Sequence, residues 1–365
     1  MINVTGVSES RVAPVAAHYA KEKDQSIIIV STDVRAKRLA SDLSFFVQDK
    51  EIITLPGDEQ FLLRYAAKNQ DHMITRLRAL KALRSGQPVV VIAPVSAAVK
   101  KITPHSYFEK SSFRVQLGEE IDLEDVKRRL VELGYERMEI VAARGQFSVR
   151  GGILDIYTPD GKNPYRIELF GSDVDSIRTF DIDSQRSLEN LQFAEIYPAE
   201  QMLSEREIFA GAEAKIRRAY TRASQKAAAG SEELAEKIRA TGEELCEYVA
   251  NVANQQLLEN YIHYFYDHTE CLWDYLDDGC VMIDDPDRIE ETLELRTEEL
   301  REDFKVMLER GQVIAEDAAV ISDKNDFRKV YDKPDTVVFT PFPKRIAGAE
   351  TFDQVYNLQS RQVLT

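Results

Sequence analysis

Chemistry is first suggested near the N-terminus, where an apolar run leads into Gly6 in "VTGVSESRVAPVAA". A phosphate-binding loop needs a glycine, four residues, then Gly-Lys-Ser/Thr, so that backbone N–H groups and one lysine cradle the phosphates. Counted from Gly6, the last three of those positions hold Arg11, Val12 and Ala13, and Glu9 sets a carboxylate inside the anion cradle. An ordinary strand-to-helix turn is predicted, without a working ATP site. "VMIDDP", residues 281–286, imitates the strand whose terminal acid holds magnesium in such ATPases. Without the loop there is nothing for a metal to bridge. Asp284 and Asp285 are therefore expected to open the following helix, where carboxylates suit the N-terminal dipole. His263, His268 and Cys271 are close in sequence, but their spacing puts them on different helical faces, unlike an i,i+4 metal-binding pair. Aromatic packing around Tyr264, Phe265 and Trp273 is the expectation there, and no metal is assigned. No Gly-x-Ser-x-Gly elbow and no catalytic Cys–His signature is present. Spacing supports no active site.

A different kind of chemistry is written in "RGQFSVRGGILDIYTPDGKNPYRIELFGSDVDSIRTFDIDSQRS", residues 144–187. Strand side chains alternate between two faces. In "YRIELF" Tyr165, Ile167 and Leu169 share an apolar face, while Arg166, Glu168 and Phe170 share the other. In "FSVRGG" Phe147 and Val149 oppose Ser148 and Arg150. Gly151 and Gly152 permit a bend, and "PDGKNP" supplies a hairpin turn. If the strands pair, Arg150 and Arg166 lie on the solvent face with Phe170. Arginines beside an exposed aromatic have the composition of a protein-binding hot spot. A solvated face with one stray phenylalanine has the same pattern, and the residues alone leave both open. All three side chains are expected to be exposed, so that removing them leaves the fold intact.

The elements that must carry these residues fall into three textures. The first hundred residues alternate β-rich runs ("SIIIVST", "IITLP", "PVVVIAP") with helical patterns over "DVRAKRLASDLSFF", residues 73–83 and "VSAAVKKI". Such alternation predicts a largely parallel sheet. From about Ser112 the chain turns to short antiparallel strands with one small helix, a compact α+β insert. After Glu200 it becomes mainly helical, with Gly230 and Ser231 as a stop–start pair. "CVMIDDP" and "TVVFTPF" then read as strands returning to complete the first sheet. The expected division is 1–112, 113–200, 201–345 and a linker over 346–365. The chain stops at "NLQSRQVLT" without a helix stop or polar tail, so a longer protein is expected. At 365 residues with 44% hydrophobic and 30% charged content, it reads as a globular protein. A net charge of −16 disfavours extensive nucleic-acid wrapping. No run is long enough to span a bilayer, and no secretory signal precedes the first strand. Three cysteines without a framework spacing favour free thiols in the cytoplasm.

The stretch 144–187 resembles the module shared by the excinuclease protein UvrB and the bacterial transcription-repair coupling factors. "LPGDEQF", "QDHMITRLRAL", "VIAPVSAAVKKITPHSYF" and "NLQSRQVLT" are similar to the N-terminal region of the coupling factors. UvrB itself would carry an intact phosphate loop and a tyrosine-rich DNA-inserting hairpin after "LPGDEQF". The resemblance implies an α/β fold, with a degenerate P-loop-helicase-like parallel-sheet domain split by the small α+β insert. The helix-rich third segment completes the first domain. It implies recruitment of UvrA, the damage-recognition protein of the excinuclease, by mimicry of UvrB. The contacts would fall at Arg150, Arg166 and Phe170, with no catalysis or cofactor in this segment. ATP and magnesium would belong to a C-terminal DNA translocase, and RNA polymerase and DNA to other domains. The protein's own C-terminal domain would mask the contact face. A nucleotide-dependent, DNA-binding enzyme like UvrB is the alternative, and a DNA-holding module with steep salt dependence a third.

Overall fold

The computed structural model describes residues 1–57, 70–202, 206–252, 255–343, 346 and 354–357. The end of "LPGDEQF", the span to residue 69 where UvrB would place its hairpin, and residues 358–365 lie outside them.

Six residues with little charge among them suit a strand buried on both faces, and Gln25–Val30 is fully buried. This strand, β2, follows β1 (Ile2–Thr5) and helix α1 (Val12–Glu22). Helix α2 (Asp33–Leu43) starts at Thr32, whose side chain accepts from the Arg35 N–H. Then come β3 (Glu51–Thr54), α3 (Gln70–Arg84) and β4 (Val89–Pro94). The helix expected over "VSAAVKKI" is a single turn, Val95–Ala98.

The chain next builds β5 (Phe113–Gln116), α4 (Leu123–Glu132), β6 (Glu136–Arg137), β7 (Gln146–Arg150), β8 (Ile153–Tyr157), β9 (Tyr165–Phe170), β10 (Asp173–Phe180), β11 (Ser187–Asn190) and β12 (Phe193–Ile196). Helices α5 (Arg206–Ala228) and α6 (Glu232–Ala250) follow, split as expected by Gly230 and by the Ser231 side chain capping the Leu234 N–H. Strand β13 (Gly279–Asp284), α7 (Pro286–Glu309), β14 (Thr336–Thr340) and β15 (Gln354–Asn357) complete the order.

One sheet runs β15-β1-β14-β13-β2-β4-β3, all parallel. Its faces feed two cores: Ile27, Ile29 and Val91 on one side, Ile28, Val30, Val90 and Ile92 on the other. The strands after residue 278 thus share a sheet with those before residue 95, as the returning apolar runs suggested. The last of them, β15, falls where the sequence suggested only a linker.

The second sheet runs β11-β10-β9-β8-β7-β6. It is antiparallel except at its β6 edge, which pairs parallel with β7. Strands β5 and β12 form their own ribbon. Phe147, Leu154, Ile156, Ile167 and Ile177 point to one face and pack with Val126 and Leu130 of α4. The apolar face read in "YRIELF" is real, though Tyr165 and Leu169 are only half-buried.

A further core joins α5, α6 and the aromatic stretch after Leu257, which forms short 3₁₀ turns. The two helices meet closely at Gly242, where a Cβ would come 2.6 Å from that of Tyr220. The three cysteines are free and buried. No helix among the described residues is long and apolar enough to cross a membrane.

Candidate functional site

The face of the second sheet opposite its core carries the residues singled out above. Strand register sets Ser148, Asp155, Arg166 and Arg178 in one row, and Arg150, Ile153, Glu168 and Ser176 in the next. Phe170 closes β9 at the hairpin end and is 81% exposed. Two tight turns allow this register. At the first, Gly152 is required by close approach: a Cβ there would lie 2.7 Å from the Leu169 carbonyl oxygen.

The two arginines do not stand alike. Asp155, whose side chain is 2% exposed, accepts from Arg166 Nε at 2.7 Å and Nη2 at 2.9 Å, and from Arg150 Nη2 at 3.0 Å. Arg166 also donates to Gln185 Oε1 at 2.9 Å, and its guanidinium lies 4.1 Å from the Phe180 ring centroid. Gln185 reaches it from a left-handed backbone, φ 58°. The Asp155 hydrogen bonds hold the Arg166 guanidinium above its ordinary pKa. Arg166 keeps 14% of its side chain exposed, Arg150 46%. The expectation of three freely exposed side chains is therefore corrected. Arg166 is mostly buried, because a carboxylate taken out of water must be paired.

Asp155 and Gln185 were not singled out in the sequence, and Glu168 was placed on this face but given no role. Glu168 accepts from Ser176 Oγ at 2.9 Å and from Arg178. A signal for Asp155 existed: an aspartate in mid-strand is disfavoured, and two arginines on neighbouring strands are the partners that could hold it.

At the N-terminal loop, Gly6 takes φ 77° as β1 ends, a region where glycine is at ease. Arg11 folds back and donates from Nη1 to the Gly6 carbonyl at 3.2 Å. Val12 and Ala13 are 1% and 3% exposed within the core. Beyond the carboxyl ends of β1, β2, β13 and β14 lies a cleft of about 560 Å³ whose lining includes Ser8, Glu9, Arg35, Asp284 and Phe342. Arg35 spans it, 2.6 Å from Asp284 and 3.5 Å from Glu9, and Arg38 lies 3.1 Å from Glu9. Burial raises the Asp284 carboxyl above its ordinary range even against Arg35. Asp284 ends β13 and does not open a helix, which corrects the sequence expectation. Asp285 occupies the N-cap of α7 with φ 58°, and its side chain does not cap the helix.

The histidine–cysteine stretch packs as aromatic core. The His263 ring lies 4.1 Å from that of Tyr264, and Phe265 meets Phe209 at 5.0 Å. The His268 ring faces Glu270, and Cys271 donates to the Val99 carbonyl. Among the described residues no group of three or more His, Cys, Asp or Glu gathers to hold a metal. Nearby, the fully buried Asp317 accepts from both Tyr220 and Tyr264 hydroxyls, at 2.7 and 2.9 Å, and from the Ile314 N–H. The sequence offered no hint of it.

Residues 113–202, which contain the whole arginine–phenylalanine face, match the family described as the UvrB interaction domain. Over 313 residues the chain is 32% identical to the transcription-repair-coupling factor of Bacillus subtilis (strain 168), covering 85% of this chain and 26% of that protein. Its similarity to the transcription-repair-coupling factor of Staphylococcus epidermidis is 30% over 312 residues, with the same coverage. For that of Staphylococcus aureus (strain MRSA252) it is 29% over 310 residues, or 84% of this chain and 26% of the relative. The chain thus spans about a quarter of the length of these relatives. The resemblance read from the sequence holds across most of the chain.

Proposed function

We propose that this chain, similar over most of its length to bacterial transcription-repair-coupling factors, is a recruitment module that docks the excinuclease protein UvrA. Arg150, Arg166 and Phe170 form the docking face, which imitates the corresponding face of UvrB. Recruitment brings the damage-recognition machinery to an RNA polymerase halted at a lesion. One observation supports this most: an 81% exposed phenylalanine on the same sheet face as two arginines pinned on one carboxylate, inside the span that matches the UvrB interaction domain. A largely exposed aromatic sharing a face with fixed guanidinium groups has the composition of interface anchors.

The module does no chemistry of its own. A nucleotide's phosphates would meet Glu9 at the N-terminal loop, while the position a lysine should hold is Val12, buried in the core. ATP, magnesium, DNA and polymerase contacts belong to other parts of the longer protein, whose C-terminal domain covers the docking face at rest. Titrating purified UvrA with the chain and with Arg150→Ala and Phe170→Ala tests the docking. Each variant should bind about thirtyfold or more weakly. Wild-type affinity in both would remove the assignment.

A further inference from the structure

We infer that Asp155 is the positioning residue of this face. It holds Arg166 inside the sheet as a bracket and presents Arg150 outward, on the same face as Phe170, to the partner. The inference rests on the docking reading above and goes beyond it by dividing the work between the two arginines.

The hydrogen bonds make the division. A guanidinium has five N–H groups in a fixed fork and no acceptor. Arg166 spends its fork inside the protein: Nε and Nη2 on the two Asp155 oxygens, Nη2 again on Gln185 Oε1 and Nη1 toward the Gln185 carbonyl at 3.5 Å. One face of the guanidinium is covered by Phe180. Little of it is left for a partner. Arg150 gives Asp155 one N–H, from Nη2, while nearly half of its side chain remains in solvent. A single charge-assisted bond to a buried carboxylate removes much of the rotamer freedom that a surface arginine would otherwise lose on binding. Asp155 thus acts through Arg150.

Gln185 supports the bracket from a strained position. Its φ of 58° is uncommon for a side chain of that size. Its Nε2 donates to the Ile182 carbonyl at 2.9 Å, which leaves Oε1 facing Arg166. Arg166 is therefore held from two sides, and the single N–H from Arg150 falls on Asp155 Oδ2, the oxygen that Arg166 Nη2 also reaches.

The test is a double-variant cycle read by titration of labelled UvrA, with thermal midpoints measured in parallel. Asp155→Asn keeps the shape and removes the charge; it should bind about tenfold more weakly. In the Asp155→Asn background, Arg150→Ala should cost only about a further threefold, because the two act on one contact. Phe170→Ala should keep its full cost there. A merely structural role would make the Asp155→Asn loss add in full to the Arg150→Ala loss, and that result overturns the inference, as does wild-type binding by Asp155→Asn. If Arg150→Ala and Phe170→Ala both bind like wild type, the docking reading itself fails and the inference falls with it. Should Asp155→Asn not fold, guanidinium rotation in the intact chain, followed by nitrogen-15 resonance, decides the matter. Slowed rotation is expected at Arg150, and rotation as free as at Arg239, an exposed arginine on α6, overturns it.

Discussion

At the scale of single residues, Phe170 and Arg166 should respond differently to removal, because one is exposed and the other is bracketed in the sheet. Phe170 touches little of its own protein, so Phe170→Ala should weaken partner binding while the thermal midpoint stays put. Arg166→Ala should do both. It strips Asp155 of two of its three arginine hydrogen bonds and leaves a buried carboxylate held by Arg150 alone, at a cost of about 2–4 kcal/mol in stability. Chemical denaturation of the two variants side by side reads this difference, and equal midpoints would contradict the bracketed geometry. Alternation along "YRIELF" and "FSVRGG" made the shared face of these residues legible. It could not separate them by burial, because that depends on Asp155 and Gln185, which come from β8 and from the loop after β10.

At the scale of elements, the N-terminal loop and the strand ends behave differently from one another. The missing glycine, lysine and hydroxyl were plain in the letters, but their burial was not. Val12 and Ala13 lie in the first turn of α1 and face the sheet. The triple variant Arg11→Gly, Val12→Lys, Ala13→Thr should therefore lose about 4 kcal/mol of stability, since the new ammonium enters an apolar core. It should also show no ATP turnover, as Glu9 and the Arg35–Asp284 pair still occupy the cleft. A stable variant that hydrolyses ATP would mean that the rest of a nucleotide site is intact. The buried strands were readable because apolar runs of β-branched residues leave few alternatives. Asp284 was misjudged for a physical reason: its partner, Arg35, sits on α2, far away in sequence, and only the closed sheet brings them within 2.6 Å. The strand β15 was missed because four residues with no apolar run carry no signal of their own.

At the scale of the whole molecule, two buried groups in the helical core set opposing responses to pH. Burial pushes His263 down from 6.5 to about 4. Its folded value lies below its unfolded one, so its contribution is whole above 6.5 and is lost as the pH falls toward 4. Burial pushes Asp317 up from 3.8 to about 6, outweighing its hydrogen bonds. Its contribution is whole below 3.8 and is lost as the pH rises through 6. Each amounts to about 3 kcal/mol, and they largely offset one another between pH 4 and 6.5. Urea midpoints should expose the pair. His263→Phe should gain on the wild type as the pH is lowered from 7 to 4.5, and Asp317→Asn should lose; parallel profiles in all three would refute both. Masking in the longer protein is testable at this scale too. A largely closed protein loses apparent affinity in proportion to its small open fraction. Residues 1–365 should thus bind UvrA more tightly than the resting full-length protein, and equal affinities would end the masking proposal. The order of the strands has a last consequence, in time. Among the described residues strand β1 pairs with β14 and β15, at the other end of the chain, and β2 waits for β13, whereas the second sheet and its small core come from one continuous stretch. Local contacts form fast and distant ones slowly, and synthesis releases the N-terminal part first. A ribosome well past residue 202 would already display the finished face proposed for docking beside a parallel sheet still missing three of its seven strands.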